Sequence, residues 1–196
     1  MLQNQTQVGL QRVWCPKADA GWGLHKAGCE TSGGLLEVFA VFSSIAALLG
    51  GPGQANYAAA NSSLDYLAHS RVGIGLAGIS LQWGAWAGSG MAVQSGVLEQ
   101  MEGQGLGAVT EELGLRAMEL TLVGHTAVVG VVPVDWPVLL GTIAVEVPAF
   151  LTEFAYLSAQ DSPGLCAHIT KACGARLPVC TIQMQAPAIQ SMVLSK

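Results

Sequence analysis

Charge is what this sequence has least of. Asp, Glu, Lys and Arg make up 11% of its 196 residues, against about 25% in an ordinary soluble domain. Val38 to Leu64 and Val72 to Leu98 contain none at all. Both stretches are nevertheless broken by Gly, Pro, Asn, Gln or Ser. Neither offers the roughly 20 uninterrupted apolar residues that a membrane helix requires, and both read as core or covered surface. With 8 Lys and Arg against 13 Asp and Glu, the net charge is −5. There is no basic cluster, and that argues against a nucleic-acid-binding face. Met1 to Val8 has neither a basic start nor an apolar run, so no signal peptide is expected and the reading is a cytoplasmic protein. The 5 cysteines form no C-x-x-C pair, which suggests reduced thiols. Cys166, Cys173 and Cys180 recur at a regular spacing near His168. Pro163, Gly174 and Pro178 interrupt any helix that could align them, and no metal site is expected.

What the chain does have is one informative stretch, Glu37 to Asn61. Val38, Phe39, Val41 and Phe42 form a short apolar run that predicts a buried strand of an α/β sheet, closed by Ser43 and Ser44. A turn follows, rich in Gly and Pro (Gly50, Gly51, Pro52, Gly53). Beyond it a helix is expected from about Ala55 to Arg71, with Tyr57 and Asn61 one turn apart on one face and Gly73 and Gly75 ending it. That layout sets a hydroxyl at the carboxyl end of a strand opposite a phenol and an amide, where open α/β sheets put their ligands.

Elsewhere the pattern predicts a helix from about Gln7 to Leu24 and a surface loop over His25 to Leu36. A strand is expected over Ala77 to Trp83, and a further buried strand over Ala127 to Val134. Thr110 is a suitable helix N-cap, with Glu111 and Glu112 in the first turn. These two carboxylates read as helix-start residues, because adjacent helical positions do not face each other. Pro148 to Leu157 is amphipathic. Asp161-Ser162 superficially suggests a phosphopantetheine attachment site, but Pro163-Gly164 follow and too little chain remains for a carrier bundle.

The central stretch resembles the ketoreductase domain of modular polyketide synthases, a branch of the short-chain dehydrogenase superfamily. The strand-end serine of that family maps onto Ser44, and its Tyr-Ala-Ala-Ala-Asn onto Tyr57 to Asn61. Pro16 to His25 is similar to the segment that carries the catalytic lysine there, which assigns that part to Lys17. Gln82 to Trp86 is similar to its Asn-Trp-Gly-Pro-Trp, with Ala85 in place of Pro, and Gly90-Met91-Ala92 to its Gly-Met-Ala. Val131 to Trp136 matches the way these domains close.

The resemblance implies the C-terminal portion of a Rossmann-like, doubly wound parallel sheet over residues 1–140. Residues 141–196 would be a linker or tail. It implies reduction of a carrier-bound β-ketoacyl thioester with NADPH. Tyr57 would be the proton donor, Ser44 would orient the carbonyl, Asn61 would hold a water, and Lys17 would lower the phenol's pKa from about 10 and hold the nicotinamide ribose. Gly84 and Ala85 would border the cofactor, and residues 96–106 would form the lid helix. Taken singly, each residue also has an ordinary reading: packing for the tyrosine, backbone satisfaction for the serine, solvation for the lysine. Their order and flanking residues together carry the resemblance.

No Gly-x-Gly-x-x-Gly turn precedes Lys17, although a dinucleotide fold needs one. The N-terminal strands are therefore expected to be missing, with the first remaining strand showing a bare edge. The expected partners are the N-terminal half of the reductase, neighbouring synthase domains and the acyl carrier. The alternative is a non-catalytic remnant or docking module without a cofactor-binding half.

Overall fold

Pro16 shapes the first elements. Helix α1, Gln7–Trp14, opens on a Thr6 cap whose Oγ1 accepts from Gly9 N at 3.0 Å. Pro16 has no N–H to continue the ladder. The chain responds with one wider turn, a π-helical segment over Cys15–Asp19 in which Ala20 N donates to Cys15 O. Helix α2, Ala20–Ser32, follows directly and ends at Gly33 with φ 59°. The computed structural model describes residues 5–33, 35–88, 97–124, 126–143, 147–159 and 181–183.

The loop expected over His25 to Leu36 is thus a helix as far as Ser32. Its glycines mislead because Gly28 serves packing: a Cβ there would lie 2.8 Å from Leu36 Cδ1. Thr31 Oγ1 also donates back to Ala27 O at 2.7 Å, and Lys26 and Glu30 pair at 3.9 Å on the exposed side. The expectation of surface placement holds for most of the segment.

The chain divides into two compact units. The first comprises Met1–Trp83 with Met118–Gly130, and the second Gly84–Ala117 with Val131–Lys196. In the first unit, strand β1, Ala40–Ser44, runs parallel to strand β2, Ile79–Trp83, with Ala40 opposite Ile79 and Ser44 opposite Trp83. Strand β3, Val128–Val131, lies on the other side of β2. Ser80 N donates to Ala127 O at 2.7 Å and Gly84 N to Val131 O at 2.9 Å, and the two bonds advance in step as parallel neighbours do. The three parallel strands expected from the sequence are therefore present in the sheet.

Between β1 and β2 the chain makes the short helix α3, Ala46–Leu49, and the long helix α4, Ala55–Gly73, separated by a turn in which Gly50 takes φ 71°. Phe39, Val41, Leu64 and Leu67 pack together between β1 and α4, with Leu36 at their border. Each such side chain contributes about 1.5–3 kcal/mol on burial. The apolar run around β1 is not buried throughout, as the sequence suggested. Phe39 and Val41 are 8% exposed, but Val38 is 51% and Phe42 50% exposed. Alternate strand residues point to opposite faces, and only one face of β1 meets α4. Among the described residues β1 has a strand neighbour on one edge only.

In the second unit, Leu113 N donates to Thr110 Oγ1 at 3.2 Å, which makes Thr110 the N-cap of the helix starting at Glu111, as its sequence predicts. A short helix covers Val97–Gly103, within the region proposed as a lid. Trp136 opens the helix Trp136–Ile143 and stacks on Phe154 of the 3-10 segment Ala149–Ala159, with centroids 4.2 Å apart. A three-residue strand covers Thr181–Gln183. Gly90-Met91-Ala92, Asp161-Ser162, Cys166, Cys173, Cys180, His168 and the last 13 residues lie outside the described residues. Among the described residues no helix is long and apolar enough to cross a membrane.

Candidate active site

Lys17 is placed by the π-helical turn. The wider turn carries its side chain toward the end of β1, where Nζ donates to Phe42 O at 2.7 Å. There the ammonium lies 5.8 Å from the centroid of the Tyr57 ring, within the range of a cation–π contact. Burial lowers the pKa of Lys17 below its ordinary 10.5, and the charge of Asp65 acts in the opposite direction.

Tyr57 stands in the first turn of α4, half-buried, with its N–H donated to Asn56 Oδ1 at 2.9 Å. One turn further on, Asn61 donates Nδ2 back to Tyr57 O at 2.8 Å. Asn61 is 0% exposed, yet its Oδ1 has no partner. A buried, orphaned amide oxygen is costly unless a water reaches it. Ser43 Oγ, itself buried, donates to Asn61 O at 3.2 Å and ties β1 to α4. Next to it, Ser44 Oγ accepts from Ala46 N at 3.2 Å. That bond uses an oxygen lone pair and leaves the hydroxyl proton to donate.

Lys17, Ser44, Tyr57 and Asn61 all belong to the first unit, on the π-helical turn, the end of β1 and the first half of α4. Gly84 and Ala85 belong to the second. There Gly84 N donates to Val131 O and Ala85 O accepts from Val109 N at 2.7 Å. A Cβ on Gly84 would meet Val132 Cγ2 at 2.8 Å. The glycine is thus accounted for by close packing of the chain around it, and these two backbone groups are already paired.

Two further polar groups escaped the sequence reading. Asp65, half-buried a turn beyond Asn61, accepts from Ser80 Oγ at 2.6 Å and Gln82 Nε2 at 2.8 Å. Burial raises its pKa above 3.8, outweighing the opposing effect of the hydrogen bonds from Ser80 and Gln82. Arg71, 1% exposed, donates Nε to Ala77 O at 2.6 Å, meets His25 Nδ1 at 2.7 Å through Nη1, and lies 4.0 Å over the Phe39 ring. The helical spacing of Asp65 from Tyr57 and Asn61 was visible in the sequence; its strand partners were not. Among the described residues no group of His, Cys, Asp or Glu could hold a metal ion.

The chain and its fold have likenesses among known proteins. Residues 1–88 match the model of the KR domain family. The chain is 39% identical over 131 residues to the spectinabilin polyketide synthase system protein NorB of Streptomyces orinoci, covering 65% of this chain and 6% of that protein. It is 39% identical over 137 residues to the phthioceranic/hydroxyphthioceranic acid synthase of Mycobacterium bovis (strain BCG / Pasteur 1173P2), covering 68% of this chain and again 6% of the relative. Among solved structures, an A-type ketoreductase from a modular polyketide synthase matches with a TM-score of 0.72 at 30% identity, over 79% of this chain and 32% of that one. An A1-type ketoreductase matches at 0.71 with the same identity and coverage. The chain thus spans a small fraction of its curated relatives and about a third of the solved ketoreductase chains. Family model, sequence relatives and solved folds point the same way, toward the ketoreductase domains of polyketide synthases.

Proposed function

We propose that this chain supplies the proton-donating and carbonyl-orienting side of a reductase that converts a carrier-bound β-ketoacyl thioester to the β-hydroxyacyl product with NADPH. The observation that carries the proposal is the Lys17 ammonium, fixed on Phe42 O and 5.8 Å from the Tyr57 ring. A cation beside a phenol favours the phenolate, so Tyr57 gives up its proton more readily as the substrate oxygen becomes an alkoxide. Ser44 donates its hydroxyl to the same oxygen and orients it. A water on Asn61 Oδ1 returns a proton to Tyr57, which accounts for the orphaned atom.

Lys17 and Tyr57 fit the cofactor by their chemistry, since an ammonium and a phenol can both bond ribose hydroxyls. When bound, NADPH supplies the hydride. Among the described residues Gly73-Ile74-Gly75-Leu76-Ala77-Gly78 has the Gly-x-Gly-x-x-Gly spacing, but it leads from helix α4 into strand β2 and not from a strand into a helix, so in this reading the pyrophosphate is held elsewhere.

The test has two parts. In a fluorescence titration the chain by itself is expected to show no saturable NADPH binding at micromolar concentration. In a polypeptide that also carries a dinucleotide-binding unit, Tyr57→Phe is expected to abolish reduction of a model β-ketothioester while NADPH still binds saturably. Unchanged turnover would remove Tyr57 from its role.

A further inference from the structure

From Gln7 to Ser32 the chain is helical without a break, through α1, the π-helical turn and α2. The helices on either side of the turn are held to α4 separately. On one side, Asn56 Nδ2 of α4 reaches Gly9 O of α1 at 3.5 Å. On the other, Arg71 of α4 meets His25 of α2 at 2.7 Å, and a Cβ on Gly21 would lie 2.6 Å from Leu64 Cδ2. Two anchored helices cannot both keep their faces on α4 if the chain between them carries one residue too many for an α-helix. An N–H that bonds five residues back instead of four takes up that residue, and Ala20 N does so with Cys15 O.

The two anchors demand that a surplus residue be absorbed but do not fix where. The place matters, because moving the wide turn along the helix carries Lys17 up to about 100° around the axis, away from Phe42 O. Pro16 supplies the place. It is the sole proline between Gln7 and Ser32. A proline inside a helix has no N–H to give and crowds the carbonyl four residues back, so the ladder is already open there. Its ring is exposed and contributes nothing to the core, whereas Ala18, two residues on, is 1% exposed. A local rule broken without a packing gain marks function rather than fold. We propose that Pro16 is a positioning residue of the site: it pins the surplus residue within Cys15–Asp19 and thereby holds Lys17 Nζ on Phe42 O, 5.8 Å from the Tyr57 ring. The purpose of this device rests on the reductase reading, but the pinning itself is measured without cofactor or turnover.

The experiment is NMR on the full chain, where scalar coupling across a hydrogen bond identifies the acceptor of each N–H. The unmodified chain is expected to show coupling between Ala20 N and the Cys15 carbonyl carbon, and a nuclear Overhauser effect between the Lys17 side chain and the Tyr57 ring. In Pro16→Ala both signals should be lost, while contacts of Arg71 with the Phe39 ring persist because the anchors on α4 are untouched. Retention of either signal in Pro16→Ala overturns the proposal, as does absence of either from the unmodified chain. Failure of Pro16→Ala to fold overturns it too: alanine at an exposed helical position favours the helix, so the proline would then be serving the fold. In a complete domain the same substitution should lower kcat by as much as about 100-fold, the scale of a small misplacement of a reacting group. Loss of both signals with unchanged turnover would instead fault the role given to Lys17 in the proposed function and leave the pinning intact.

Discussion

Two cations are withdrawn from water in the first unit, and they are treated differently. Arg71 is 1% exposed and clamped: Nε on Ala77 O, Nη1 on His25 Nδ1, and its plane over Phe39. A planar guanidinium with fixed donors suits such a role, joining α2, the strand core and the exit from α4. Lys17 is half-buried, has one hydrogen bond, to Phe42 O, and faces an aromatic ring whose hydroxyl can do chemistry. The contrast separates architecture from site. A fully buried cation bonded to structure on two sides stabilises the fold, whereas a half-buried one beside a phenol is available to a reaction.

Substitutions can break this contrast from either side. The largest effect is expected on turnover, where Tyr57→Phe in a complete domain should cost at least about 100-fold, the lower range for general acid catalysis. Its urea midpoint in the isolated chain should hardly move. Arg71→Met should do the reverse, lowering stability by about 3 kcal/mol because Ala77 O and His25 lose a charged donor inside the core. Denaturant unfolding reads this directly, and a loss no larger than that of Lys17→Met would erase the distinction.

Asp65 sharpens the comparison through pH. Its pKa in the folded chain lies above 3.8, so the folded state keeps this proton where the unfolded state has lost it. The contribution of Asp65 to stability is therefore largest at low pH and declines as pH rises from 3.8 to the raised folded value. Asp65→Asn should flatten that slope in unfolding curves recorded across the window; an unchanged slope would mean that the carboxylate is not desolvated. The smallest effect is expected for His25→Ala. It removes one acceptor from Arg71 and should cost about 1 kcal/mol, since Ala77 O still holds Nε.

The legible parts of the chain were those written locally. Tyr57 and Asn61 fall on one face of α4 because helical spacing puts them there. Thr110 caps its helix because a side-chain oxygen reaches the N–H three residues on. The strands at Ala40–Ser44, Ile79–Trp83 and Val128–Val131 appear where the apolar runs stand. The helix through His25 to Ser32 was hidden because Gly28 reads as a breaker until Leu36 is seen against it. Pro16 gave notice of a disturbance in the first helix, but not of a π-helical turn that directs Lys17 at β1.

The sequence by itself determined the kinds and order of the reactive groups: a lysine, then a strand-end serine, then a tyrosine and asparagine one turn apart. Tertiary structure decided which of them share a charge environment and which polar groups are buried with them. Lys17 reaches Phe42 across 25 residues, Asp65 reaches Ser80 and Gln82 across 15 and 17, and Arg71 reaches His25 across 46. Such pairings depend on how strands and helices stack, and the desolvation that moves the pKa values of Lys17 and Asp65 exists only once that stacking has excluded water.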